Sequence, residues 1–108
     1  MSRLRSRSAT ALALLVALTV HASPGAAADI GKGEQLAQRM CASCHLVSGA
    51  QRQGSADAPP FATIARMPNF SAERVAFFLL DPHPQMPALS LTRRETDDIA
   101  GYIASLAK

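Results

Sequence analysis

Cys41-Ala42-Ser43-Cys44-His45 puts two thiols and an imidazole side by side in a 108-residue chain. Thiols three residues apart lie about one helical turn from each other, so both sulfurs can bond to the same rigid partner. The imidazole that follows is then pinned to one face of that partner. This is the pattern of c-type haem attachment, in which the sulfurs join the two porphyrin vinyl groups and the histidine meets the iron. Other chemistries use the same residue types. A thiol–disulfide site opens a helix that follows a strand, which lowers its thiolate pKa. Here the pair closes a helix and no strand precedes it. A zinc site built from Cys41, Cys44, His45 and His83 would need the adjacent Cys44 and His45 to turn toward one ion. A disulfide between Cys41 and Cys44 would close almost no loop and stabilise little.

An iron held by His45 needs its second ligand from elsewhere in the chain. The candidates are Met86-Pro87, Met67-Pro68 and His83. Pro82, Pro84 and Pro87 make 81–88 a stiff, non-helical loop that can present a side chain. Met86 lies 41 residues beyond His45, enough chain to pass around the ring to its other face. Met67 has the shorter wrap and directly precedes a helix start, where core filling suffices. His83 is hemmed in by prolines three residues before Met86, as a loop histidine bonded to backbone would be. Met86 is therefore the expected partner of His45. A thioether is a soft, neutral donor that favours ferrous iron and raises the potential relative to two histidines. Iron filled on both sides offers no vacancy to oxygen, so the expected role is carrying electrons rather than catalysis.

Three helices must position these groups. In 30–41, Gly33, Leu36, Ala37 and Met40 recur at helical spacing on one face. Gly31 and Gly33 weaken that helix by about 1 kcal/mol each, so they call for a packing reason. Residues 46–67 read as irregular, punctuated by Gly49, Gly54, Pro59 and Pro60. A structureless stretch of that length is expected to wrap something. Ser71 is the N-cap of the second helix, stapled by Phe70 and Val75, with Val75, Phe78 and Leu79 as its expected buried stripe. Pro82 ends it near Leu80. Thr92 and Glu95 form a capping box that opens the last helix, whose apolar face is Ile99, Tyr102, Ile103 and Leu106.

The first residues have a separate purpose. Arg3, Arg5 and Arg7 precede an apolar run over 9–20, and Pro24-Gly25 breaks it before Ala26-Ala27-Ala28. A basic start, a short apolar centre and small residues at −3 and −1 describe a secretory signal. Cleavage is expected after Ala28, with Ala27 as the rival. The run falls short of the roughly 20 apolar residues that span a bilayer. The chain therefore divides into a signal over 1–28 and one domain over 29–108, with no transmembrane segment after cleavage and a periplasmic destination. The three arginines account for the whole net charge of +3, which leaves eight basic residues against eight acidic ones. Nucleic-acid binding is unsupported on that balance. A domain this small needs a staple, metal or cofactor to supplement its core, and it has four Phe, one Tyr and no Trp. Glu95, Asp97 and Asp98 are a possible docking patch, although acids in the first turns of a helix also complement its dipole.

Taken together, these residues resemble class I cytochrome c over essentially all of 30–108. Cys-x-x-Cys-His stands early, Met86-Pro87 late, and Leu-Thr-x-x-Glu…Tyr-Ile-x-x-Leu closes the chain, in the family's order. The resemblance implies an all-α cytochrome c fold, three main helices wrapped around one covalently bound haem c. In that arrangement Cys41 and Cys44 anchor the haem, while His45 and Met86 ligate the iron. It also implies that Gly33 lies where the first and last helices cross, so that Tyr102 and Ile99 can approach. Ala58-Pro59-Pro60-Phe61 resembles the family's Gly-Pro-x-Leu segment, in which the Pro59 carbonyl would accept from the His45 Nδ1–H and fix its ring plane. There are departures. Ala37 stands where an aromatic is common, which implies a looser helix junction. No tryptophan can bond a haem propionate, leaving Arg52 and Arg66 as candidates on charge. The implied function is single-electron transfer between a redox donor and acceptor protein. The alternatives are a dedicated cytochrome subunit of a dehydrogenase or sulfur-oxidising complex, and a haem sensor or peroxidase with an open distal site.

Overall fold

The structure, a computed structural model, describes residues 25–82 and 84–108. The predicted signal lies almost wholly outside the described residues, as does His83. Among these described residues four helices follow in order: α1 (Ile30–Met40), α2 (Phe61–Ala65), α3 (Ala72–Leu80) and α4 (Arg93–Ser105). There is no strand among the described residues. The fold is all-α, as the periodicity indicates.

Each long helix begins on a side-chain cap. Asp29 accepts from the Lys32 N–H at 3.0 Å, and Ser71 accepts from the Arg74 N–H at 3.3 Å. At α4 the box is reciprocal: the Glu95 N–H donates to Thr92 Oγ1, and the Thr92 N–H returns a bond to Glu95 Oε2 at 2.8 Å. These caps satisfy backbone donors that a helix start leaves without intrahelical partners.

The core forms where α4 meets the other three helices. Ile99, Tyr102 and Ile103 of α4 are buried with Leu36 and Ala37 of α1. Gly33 explains the closeness of that crossing. A Cβ added there would land on the carbonyl group of Asp98 and come within 2.9 Å of Tyr102 Cβ. Tyr102 thus approaches as the crossing implies, and the Asp98 backbone comes closer still. Ala37, expected to loosen the junction, is completely buried. A small side chain there lets the two backbones close up.

Two helical details differ from the periodicity. α2 falls inside the stretch expected to be irregular. It is one short segment after Pro60, whose carbonyl accepts from the Thr63 and Ile64 N–H groups. Five residues are too few to display a period. In α3 the buried residues are Ala76 and Leu79, with Val75 half-buried and Phe78 40 % exposed. The segment is apolar on adjacent stripes, so spacing alone could not choose the one that packs on α4.

Replacing Gly33 by valine should force α1 and α4 apart and cost about 3 kcal/mol. Urea unfolding of the haem-loaded protein would measure it. A cost below 1 kcal/mol would mean the crossing is not the constraint described.

Candidate functional site

α1 delivers the cysteines. The helix ends at Met40, and Cys41 is its C-cap, its N–H donating to the Ala37 carbonyl. The turn then continues without a break. The carbonyl of Cys41 accepts from the N–H groups of Cys44 (3.1 Å) and His45 (2.8 Å). One turn of backbone thus sets both sulfurs and the imidazole, with Cys41 inside the fold and Cys44 exposed. Burial pushes the Cys41 thiol up to about 11, which keeps it protonated at neutral pH. That is opposite to the lowered pKa of a thiol–disulfide catalyst. Both cysteines are unpaired thiols. Among the described residues, no three His, Cys, Asp or Glu side chains converge on a metal position.

His45 is held at one ring nitrogen. Its Nδ1 lies 2.7 Å from the Pro59 carbonyl. A carbonyl can only accept, so the proton is on Nδ1 and Nε2 keeps its lone pair for a metal. Phe61, at the start of α2, packs beside the imidazole with ring centroids 5.3 Å apart.

The backbone around the histidine is equally constrained, and sequence reasoning missed the residue responsible. Gln51 accepts from the Val47 N–H at 3.0 Å through Oε1. Its Nε2 donates to the carbonyls of Ala42 (2.9 Å), His45 (2.8 Å) and Gln53 (2.7 Å). The Cys44 carbonyl accepts from the Ser55 N–H, and the Leu46 carbonyl from the Phe61 N–H. The Tyr102 hydroxyl reaches from α4 to the Val47 carbonyl at 2.6 Å, a buried bond. The sequence marks Tyr102 as part of an apolar face and of the helix crossing, but gives no sign of this bond. An amide side chain in a Ser-Gly-Ala-Gln-Arg-Gln loop carries no sequence signal that separates it from its neighbours.

The two candidate methionines are placed differently. Met86 is half-buried and packs against the core cluster. Met67 is 48 % exposed, at an apolar groove it shares with Ile64, Phe70 and Val75 between α2 and α3. Arg52 and Arg66 are both exposed. Asp98 is buried, which removes it from the acidic patch of Glu95, Asp97 and Asp98. The donor chemistry at 41–45, two free thiols and an imidazole with Nδ1 engaged, fits covalent haem.

Comparison with known proteins agrees with that donor set. Residues 28–103 match the family described as cytochrome c oxidase, cbb3-type, subunit III. A cytochrome c-552 from Bradyrhizobium diazoefficiens is 54 % identical over 95 residues, which is 88 % of this chain and 91 % of that protein. The chain belongs to the cytochrome c family. The crystal structure of the c-type cytochrome SorU from Sinorhizobium meliloti superposes with a TM-score of 0.57 at 26 % identity, covering 72 % of this cytochrome and 90 % of that chain. This cytochrome therefore carries covalently bound haem c, and it is an electron carrier rather than an enzyme. The peroxidase alternative falls with that result.

Gln51→Leu strips one donor and three acceptors of their partner at once. It should lower the stability of the haem-loaded cytochrome by about 2 kcal/mol in a urea melt. Gln51→Glu, which faces three carbonyl oxygens with a carboxylate, should cost at least as much. A neutral outcome for both would show that the loop does not depend on this side chain.

Proposed function

We propose that this cytochrome shuttles single electrons between redox proteins in the periplasm, with His45 and Met86 as the axial ligands of its haem iron. Haem c supplies an iron that alternates between ferric and ferrous states. Cys41 and Cys44 would hold the porphyrin through two thioether bonds, one inside the fold and one at its rim. The observation that carries the ligand assignment is the bond between His45 Nδ1 and the Pro59 carbonyl. It commits one nitrogen, fixes the ring plane and leaves Nε2 as the atom that would bind the iron. Met86 is favoured as the opposite ligand by its half-burial against the core and by the stiff proline loop that carries it. Its thioether would stabilise ferrous iron and leave no open position for oxygen.

Export is supported by the basic and apolar composition of the first residues, with cleavage after Ala28. No helix among the described residues is long and apolar enough to cross a membrane. A second reading, a dedicated subunit of a larger redox complex, is favoured by one observation. The matching family's description names an oxidase subunit. Such a complex, or a dehydrogenase, would retain this cytochrome through purification, whereas a free shuttle would separate from it.

Absorption spectra of the oxidised and reduced protein, purified from a host competent in cytochrome maturation, test the ligands. The oxidised form should show the methionine–iron charge-transfer band. Met86→Ala should give high-spin ferrous iron that binds carbon monoxide. A variant that stays low-spin and inert to carbon monoxide would assign the distal position to another residue.

A further inference from the structure

Asp98 is an acid on α4 with only 2 % of its surface exposed. A carboxylate buried that deeply is costly unless donors meet it. Its Oδ1 receives the backbone N–H of Asp29 at 2.7 Å and lies 3.2 Å from Arg94 Nε. The two terminal nitrogens of Arg94 donate to the carbonyls of Ala26 and Ala27, at 3.1 and 2.9 Å. The chain entering α1 lies flush on α4. A Cβ at Gly101 would come within 2.6 Å of Ala28 Cβ and 3.2 Å of Ile30 Cδ1. Gly25, Ala26 and Ala27 are nevertheless exposed. The nitrogen of Asp29 is thus directed at a buried negative charge, while the residues just ahead of it lie on the surface.

We propose that Asp98 is the receptor for a newly made chain terminus, pairing with the α-ammonium of Asp29 once the Ala28–Asp29 bond is cut. The inference rests on the export reading above. Hydrolysis of that amide by a signal peptidase consumes one water. It leaves a carboxylate on Ala28 and an amine on Asp29, which takes up a proton near neutral pH. The existing contact becomes a charge-assisted hydrogen bond with no displacement of the backbone. Arg94 keeps Asp98 and gives up the carbonyls of Ala26 and Ala27, which leave with the signal. The Asp29 carboxylate is occupied elsewhere, capping α1 and lying 3.9 Å from Lys32 Nζ. Only cleavage at this bond places the charge there. Cleavage after Ala27 would leave the Asp29 nitrogen as a neutral amide.

The test uses the haem-loaded protein exported with its own signal. Intact mass should show a chain that begins at Asp29. With a limiting amine-acylating reagent near neutral pH, a free α-amine normally reacts before lysine because its pKa is about 8 rather than 10. Here Lys32 and Lys108 should be modified before the Asp29 amine, and Asp98→Asn should reverse that order. Thermal melts give a second readout. Asp98→Asn should lower the Tm of the Asp29-terminal form by at least about 5 °C more than that of a form carrying Gly-Ser-Gly ahead of Asp29. A chain that retains the whole signal would overturn the export reading. A chain starting at another residue, an Asp29 amine that labels first in the wild type, or equal Tm losses in both forms would overturn the pairing alone.

Discussion

The contact between α1 and α4 at Gly33 is the constraint on which the other features rest. With no side chain at Gly33 and only a methyl at Ala37, the backbones come close enough for α4 to reach past α1. α4 then touches the two ends of the segment that matters. At one end, Asp98 holds the nitrogen that opens α1. At the other, the Tyr102 hydroxyl holds the Val47 carbonyl, two residues beyond His45. α4, far in sequence from the cysteines and the histidine, thus fixes both where α1 begins and where the cysteine–histidine turn ends.

Between those ends the backbone is held by bonds to its own carbonyls. Ala42 and His45 are tied by Gln51, Cys44 by Ser55, Leu46 by Phe61 and Val47 by Tyr102. A carbonyl bonded inside the protein is removed from competition with water, and each bond limits how far the turn can rotate. This rigidity suits a site that exchanges electrons, because a ligand frame that barely moves on reduction adds little reorganisation to the transfer. It also suits covalent attachment, since both thiols and the imidazole must address one ring.

The acidic residues show how position decides role. Glu95, Asp97 and Asp98 are near neighbours at the start of one helix. Glu95 completes a capping box, Asp98 is sealed against Asp29 and Arg94, and Asp97 is exposed. A patch counted as three charges in the sequence is therefore chemically divided, and it is a weaker candidate for docking a partner than its composition implies.

Much of this molecule is written locally. Five consecutive residues specify haem attachment, because two thioether bonds to one ring require that cysteine spacing within one turn. Helix starts were equally legible at Ser71 and Thr92, where a side chain bonds a backbone only three residues away. The buried faces of α1 and α4 followed from their period. What the tertiary structure decided depends on groups far apart in sequence. α2 is too short to carry a period, and its helical turn follows the Pro59-Pro60 pair that meets His45. The buried stripe of α3 was ambiguous until α4 chose between adjacent apolar rows. Gln51, Tyr102 and Asp98 acquired their roles only when folding brought donors and acceptors together across as many as 69 residues. Hydrogen bonds of that kind leave no periodic trace in a sequence, since each is made by a single polar atom whose partner is fixed by the packing of whole helices.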